Sequence, residues 1–135
     1  MSHLVPLIWI AGAIQLVDTI VNVALPKRIQ TRENLERVSP LLRQIFWSHW
    51  AYIMLVLLIF GVMCVFFAPV LAGGSPIGRF LSGSLAIFWG LRVPLQLFWF
   101  DAEFRRKNRL ADVCFIAAST YLAIVFTFAA IGVGR

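Results

Sequence analysis

The sequence predicts an all-α integral membrane protein, a bundle of four transmembrane helices. Hydrophobic residues make up 61% of the 135-residue chain and charged residues 13%, whereas a soluble domain usually has about 45–50% and about 25%. The second observation is four long apolar stretches, because a helix needs roughly 20 mostly apolar residues to cross a bilayer. The alternating segments of about ten residues that are typical of membrane strands do not occur in the sequence. A soluble domain, a disordered chain and a disulfide scaffold are therefore excluded.

The four predicted spans belong to a single transmembrane domain of residues 1–135, and each ends at polar or helix-breaking residues. They are residues 4–25, 46–72, 80–100 and 111–133. The first apolar run is far longer than the 7–15 residues of a signal peptide and has no Lys or Arg before it. We therefore expect the first span to remain in the protein.

The distribution of basic residues predicts the orientation. Nine of the twelve Lys and Arg residues lie in two connections, residues 26–45 and 101–110. The positive-inside rule places both connections in the cytoplasm and both termini outside, in what we expect to be a bacterial cytoplasmic membrane. The net charge of +6 then reflects topology and contact with lipid headgroups rather than nucleic-acid binding. The residues expected to face the membrane surface or a partner are Arg28, Arg32, Arg37, Arg43, Arg105, Arg106 and Lys107.

The first connection is expected to be structured. A short helix is predicted over residues 31–38, and Ser39 followed by Pro40 is a good helix start. From Pro40 the pattern predicts one helix to about residue 71, roughly 48 Å long. Its beginning is amphipathic, with Arg43 and Gln44 opposite an apolar side of Leu41, Leu42, Ile45 and Phe46. This segment is either a collar at the membrane interface or a docking surface for a cytoplasmic partner.

Polar residues within the spans form the main candidate site. Asp18 and Arg92 lie seven and eight residues before the predicted ends of their spans, so both are expected about 10–12 Å below the same membrane face. Pro94 should bend the third span close to Arg92. Helical spacing places Gln15 and Asn22 on the face of Asp18, and Trp89 and Gln96 on the face of Arg92. His49, near the start of the second span, is expected at a similar depth.

Two interpretations of this layer stay open. In one, Asp18 and Arg92 form a buried ion pair and the amides hold the helices together. In the other, the layer binds a quinone, a lipid headgroup or a small ion, because an intramembrane charge is costly and indicates function. A different helix order would separate these residues.

Other chemistry has little support in the sequence. His3 and His49 are predicted on opposite membrane faces, so a haem would need His49 as a single ligand or His49 from two copies. No cofactor is identified, and no metal motif occurs. Cys64 and Cys114 are expected at different depths, as unpaired packing residues. No nucleophile has a base at a suitable spacing, which leaves catalysis uncertain and argues against an enzyme.

Span four carries small residues on one face, at a spacing that allows close approach of another helix. They are Ser119, Ala123, Thr127 and Ala130. The approaching helix could belong to the same chain or to a second copy.

These observations favour a non-catalytic structural or accessory subunit of a larger membrane complex. The expected partners are the lipid bilayer and other membrane subunits, or further copies of the chain. One alternative is a binding protein or enzyme that acts on a quinone, lipid or isoprenoid through the Asp18–Arg92 layer. A second is a homo-oligomeric carrier of a small solute or of protons, in which Asp18 titrates.

Overall fold

Helices account for nearly the whole chain. The computed structural model of the protein describes residues 3–28, 31–100 and 102–132, without the side chains of residues 25–28 and 104. The chain is 90% helical, and the described residues contain no strand. The predicted all-α class is therefore confirmed.

Seven α-helices and one π-helical segment follow one another in the described part of the chain. In order they are α1 (Leu4–Arg28), α2 (Thr31–Leu35), α3 (Pro40–Phe66), α4 (Ala68–Ala72), α5 (Pro76–Pro94), the π segment (Leu95–Trp99), α6 (Ala102–Lys107) and α7 (Arg109–Ile131).

Among the residues that the structure describes, four helical stretches are long and apolar enough to cross a membrane, as predicted. They are Leu4–Ala24, Pro40–Phe66, Pro76–Trp99 and Arg109–Ile131. Only 17–33% of the residues in their most apolar windows are buried within the chain. Most of their apolar side chains therefore lie on the outside of the protein, where a bilayer would solvate them. This composition fits a multi-pass membrane protein.

The second spanning helix starts where the sequence predicts and ends earlier. Ser39 accepts a hydrogen bond from the Leu42 amide at 3.3 Å, as an N-cap residue does. The prediction of one helix to about residue 71 is wrong, because α3 ends at Phe66 and α4 begins at Ala68. Pro69 explains the break: it has no N–H to donate, and its ring clashes with the carbonyl four residues earlier.

The third span changes its helical form at Pro94. Because Pro94 cannot donate to the Gly90 carbonyl, the regular pattern of α5 ends there. The Leu95 amide still bonds to the carbonyls of Leu91 and Arg92. The Phe100 amide then bonds to the Leu95 carbonyl at 3.1 Å, five residues back, which closes a π turn.

The chain divides into two compact units. Unit 2 is Gly12–Phe66, and unit 1 takes in the chain up to Ala11 and from Phe67 onwards. In unit 2, α1 crosses α3 at two glycines. A Cβ atom added at Gly12 would lie 2.9 Å from the Cys64 Cβ and 3.1 Å from the Gly61 carbonyl oxygen. The two backbones can approach this closely only because neither crossing residue has a side chain.

Unit 1 is organised around the packing of α5 against α7. Gly83 faces Ala130, and Gly90 faces Ala123, with added Cβ atoms 3.8 and 4.0 Å from the alanine methyl groups. Buried apolar side chains of α7 lie in the core of this unit, namely Leu122, Val125, Phe126 and Ala129. The first part of α1 is tied to α7 by a 3.0 Å hydrogen bond from the Tyr121 hydroxyl to the Leu7 carbonyl.

Two polar contacts join the ends of the helices in unit 1. The Ser82 hydroxyl is fully buried and donates to the Leu71 carbonyl of α4 at 3.0 Å. Arg79 donates through Nε to the Ala130 carbonyl at 2.8 Å, in the last turn of α7. Gly132 follows with φ 89°, the left-handed conformation that commonly ends a helix at glycine.

The glycines of α5 make a matched test of this packing. An added Cβ at Gly78 would overlap the Val70 carbonyl oxygen, which cannot move without α4. We expect Gly78→Ala to lower the free energy of unfolding by about 1–3 kcal/mol, as overpacking does. Gly83→Ala places its methyl group at ordinary contact distance from Ala130 and should be neutral or stabilising by up to about 1 kcal/mol. Thermal unfolding of both variants in detergent measures the difference; equal effects would contradict the described packing.

Candidate functional site

The polar residues predicted to form one layer are divided between the two units. Gln15, Asp18, Asn22 and His49 belong to unit 2, whereas Trp89, Arg92 and Gln96 belong to unit 1. The structure therefore places each subset separately, and the layer as a whole stays a prediction.

In unit 2 the polar side chains of α1 bond within the unit. Gln15 is fully buried, and its Nε2 lies 3.3 Å from Sγ of Cys64, which is equally buried. Asn22 donates to the Asp18 carboxylate and to the Asp18 carbonyl, each at 2.8 Å. Trp50 of α3 donates its indole N–H to the Asn22 carbonyl at 3.4 Å. The neighbouring His49 is exposed.

In unit 1 the centre of the polar contacts is Asp112, in the first turn of α7. Its Oδ1 accepts from Gln96 Nε2 at 2.6 Å and from Arg105 Nε at 2.9 Å. Its Oδ2 accepts from Arg105 Nη2 at 3.2 Å. Arg105 also donates to the Leu97 carbonyl at 3.0 Å. We call Gln96, Arg105 and Asp112 the Asp112 cluster.

Three elements position this cluster. Gln96 lies in the π segment and is buried, Arg105 comes from α6, and Asp112 from α7. The side chains of Arg105 and Asp112 are 20% and 10% exposed, so this ion pair is shielded from solvent. The cluster therefore holds α6 against the π segment on one side and against the first turn of α7 on the other.

Arg92 lies between two aromatic rings. Its guanidinium carbon is 4.8 Å from the ring centre of Phe100 and 4.7 Å from that of Phe115. Both distances lie within the range of cation–π attraction. Trp89, one turn earlier, is 3% exposed and packs edge-on to Phe88. Within unit 1, Arg92 thus has an aromatic environment in addition to any polar partner.

Charge on α6 is balanced in two different ways. The Asp112 carboxylate raises the pKa of Arg105, chiefly through their hydrogen bond, and keeps this guanidinium positively charged. Glu103 and Lys107 form a second ion pair at 3.5 Å, with both side chains 74% exposed. Such an exposed pair contributes little to stability. The shielded pair is the structurally important one.

The central position of Asp112, and the contact of Cys64 with Gln15, were not predicted from the sequence. Asp112 could have been found as a carboxylate in the first turn of a helix, where the helix dipole favours it, shortly after the basic residues 105–109. No sequence signal identifies Cys64 as the partner of Gln15, because that contact depends on how α1 and α3 cross.

The small residues predicted as a contact stripe are placed in different surroundings. Ala123 and Ala130 face glycines of α5 in the same chain. Ser119 is 1% exposed, and its hydroxyl has no hydrogen-bond partner among the described residues. Thr127 is exposed and bonds back to the Ala123 carbonyl at 2.7 Å. The first two contacts show close helix approach within one chain.

The predicted surface arginines also differ from one another. Arg43 donates to the carbonyls of residues 35, 36 and 38. Arg105 is held in the Asp112 cluster. Exposed side chains are those of Arg32, Arg37, Arg106 and Lys107. The side chain of Arg28 and all of Asp101 lie outside the described residues.

The contacts that these clusters make are charge pairs and hydrogen bonds. Among the described residues, no group of three or more His, Cys, Asp or Glu side chains could hold a metal ion. Both cysteines are free thiols, Cys64 buried and Cys114 exposed. The Asp112 cluster can hold helices together and keep one guanidinium in a fixed position.

Comparison with known proteins adds no relative. No family model matches the sequence, and neither a curated protein nor a solved structure is similar to it. The class is therefore defined by the fold alone, as a small all-helical protein with four helices able to cross a membrane.

The Asp112 cluster makes a prediction about stability. Asp112→Asn removes the charge that pairs with Arg105 and offers one acceptor oxygen in place of two. We expect this variant to lower the Tm by roughly 3–8 °C, because it disrupts charge-assisted hydrogen bonds shielded from solvent. Glu103→Gln makes the same chemical change in the exposed pair and should shift the Tm by less than about 2 °C. Equal Tm shifts in the two variants would show that the Asp112 cluster contributes no more to stability than the exposed pair.

Proposed function

We propose that this chain is a non-catalytic accessory subunit of a larger membrane complex in a bacterial cytoplasmic membrane. In this proposal the connections at residues 26–45 and 101–110 face the cytoplasm, and both termini lie outside. The partner subunit docks on the first connection and on the beginning of α3. The support comes from the contacts between α2 and the start of α3 and from the hydrogen bonds that the polar side chains of the spans make within the chain.

The observation that carries the proposal is the contact between Arg43 and the first connection. Arg43 Nε donates to the Leu35 carbonyl at 3.1 Å, and Nη2 donates to those of Glu36 and Val38 at 3.5 and 3.4 Å. Leu35 is the last residue of α2, and Glu36 and Val38 follow it. The Leu35 carbonyl also accepts from the Val38 amide at 3.3 Å, so Arg43 adds a second donor there. One side chain thus gives a fixed shape to the residues between α2 and α3. A plain tether between two spans would not need such a contact.

The segment from α2 to the start of α3 presents both apolar and charged surface. At the start of α3, Leu41 is 65% exposed and Leu42 is 52% exposed. Arg32, Glu33, Glu36 and Arg37 are exposed before them. An apolar centre with a charged rim is the usual composition of a protein–protein contact, which supports a docking role for this segment.

The polar residues of the spans support a packing role over catalysis. Gln15, Asn22 and Gln96 each bond to a side chain of this same chain. The bonds of Gln15 and Gln96 join two helices, whereas that of Asn22 to Asp18 lies within α1. Interhelical hydrogen bonds average about 0.6 kcal/mol in membranes, so they specify how helices pack more than they stabilise them. A subunit that serves as a scaffold needs this property.

Two alternatives remain as outcomes of the test. A quinone, lipid or isoprenoid site at Asp18, His49 and Arg92 would retain a small molecule on the purified chain. A homo-oligomeric carrier would purify as several copies of this chain alone.

Native mass spectrometry of the tagged chain, extracted in mild detergent from its own host, tests the proposal. We expect a larger polypeptide to co-purify at fixed stoichiometry. Leu41→Asn together with Leu42→Asn should release it, because these substitutions remove the exposed apolar centre of the docking surface. Ile77→Asn together with Phe80→Asn changes exposed apolar residues at the start of α5 and should leave the partner bound.

A chain that purifies alone, as a monomer or homo-oligomer, would refute the accessory-subunit proposal. If both double variants lose the partner while their unfolding midpoints stay unchanged, the partner does not dock specifically on the first connection.

The proposed orientation has its own prediction. Alkaline phosphatase fused after Arg135 should be active, because the enzyme folds only outside the cytoplasm, and green fluorescent protein at the same position should stay dark. The same reporters fused after Lys107 in a truncated chain should give the opposite pattern. Fluorescence at Arg135 would reverse the topology.

A further inference from the structure

The connection between the third and fourth spans cannot move far from the membrane surface. One candidate span ends at Trp99 and the next begins at Arg109. Only residues 100–108 lie between them, and the Asp112 cluster ties α6 to both sides. Charged side chains of α6 and of the first turn of α7 are therefore held at the level of the lipid headgroups.

The four basic side chains of this region have different partners. Arg105 is bound to Asp112 and to the Leu97 carbonyl. Lys107 pairs with Glu103. Arg106 and Arg109 are exposed, and neither forms an ion pair or hydrogen bond with the described side chains. Arg109 only attracts the Asp112 carboxylate at longer range. Two guanidinium groups are thus available to an anion from outside the chain.

Exposed apolar side chains precede and follow these arginines in the sequence. Phe98 and Trp99, just before the connection, are 85% and 80% exposed, and Leu110, just after it, is 80% exposed. Large aromatic residues at a span end contact the boundary between headgroups and acyl chains. A ligand that suits this region has an anionic head and an apolar body.

We propose that Arg106 and Arg109 bind the phosphodiester of an anionic phospholipid, whose acyl chains lie against Phe98, Trp99 and Leu110. Guanidinium groups suit phosphate because their planar donors can form paired hydrogen bonds with its oxygens. A soluble phosphate would gain nothing from the apolar side chains, which favours the lipid. This site is independent of the proposed docking on the first connection.

Lipid retention by the full chain tests the site. The purified protein is equilibrated in nanodiscs of equal phosphatidylglycerol and phosphatidylcholine, and the lipids it retains are measured by native mass spectrometry. We expect the wild-type chain to retain phosphatidylglycerol preferentially. Arg106→Gln with Arg109→Gln should reduce that preference about 5–30-fold, since each basic residue at the surface contributes to the attraction.

The matched control is Arg32→Gln with Arg37→Gln, which removes two exposed arginines from the other basic connection. This variant should keep most of the preference. An equal loss in both double variants would show that the preference for phosphatidylglycerol depends on net charge alone, and it would refute the proposed site.

Two further measurements complete the test. Thermal unfolding must give the same midpoint for the wild type and both double variants, and a lower midpoint for the Arg106/Arg109 variant would assign these residues to folding instead. Inorganic phosphate at 10 mM should not displace the retained lipid. Displacement by phosphate would identify a site for a soluble anion and refute the lipid proposal.

Discussion

Close backbone approach at small residues is the constraint on which each unit of this protein depends. Lipid is as apolar as a leucine side chain, so spanning helices gain little hydrophobic free energy by associating and rely on packing contacts. In unit 2, α1 and α3 meet where Gly12 faces Gly61. In unit 1, α5 and α7 meet where Gly83 and Gly90 face Ala130 and Ala123. At Gly12 and Gly61, where an added Cβ would lie within 3.0 Å of a neighbouring side chain, a larger residue would separate α1 from α3 and break the polar contacts that follow from their approach.

Those polar contacts determine which helices pair and in which register. Gln15 reaches Cys64 only because the crossing at Gly12 brings α1 and α3 together. Gln96 reaches Asp112 because the π turn after Pro94 changes the direction of the residues that follow it. Each bond is individually weak in a membrane, but each one is satisfied at only one relative placement of its two helices. Packing at glycine allows the approach, and the amides select the arrangement.

The predictable part of this fold was the part that depends on composition along the chain. The four spans follow from apolar length, and the start of α3 follows from Ser39 and Pro40. Pro69 also indicates the break after Phe66, since proline interrupts a helix. The apolar run continues across this proline and was therefore assigned to one helix. The partners of Gln15 and Gln96 could not be predicted, because they depend on helix crossings and on the π turn. The convergence of Asp18 with Arg92 stays a prediction for the same reason: depth along a helix does not specify which helices are neighbours.

The arginines of this protein fall into two groups that a count of basic residues cannot distinguish: some donate to carbonyls within the chain, and others are exposed. Arg43, Arg79 and Arg105 donate to backbone carbonyls at or just beyond the ends of α2, α7 and the π segment. A cation is favoured at such positions because the last carbonyls of a helix can accept from it and because of the helix dipole. These arginines stabilise the shape of the connections between helices. Since their guanidinium groups are already bonded within the chain, the anionic lipid that we propose as a ligand is assigned to arginines that remain exposed, and the folded connections determine where those are presented.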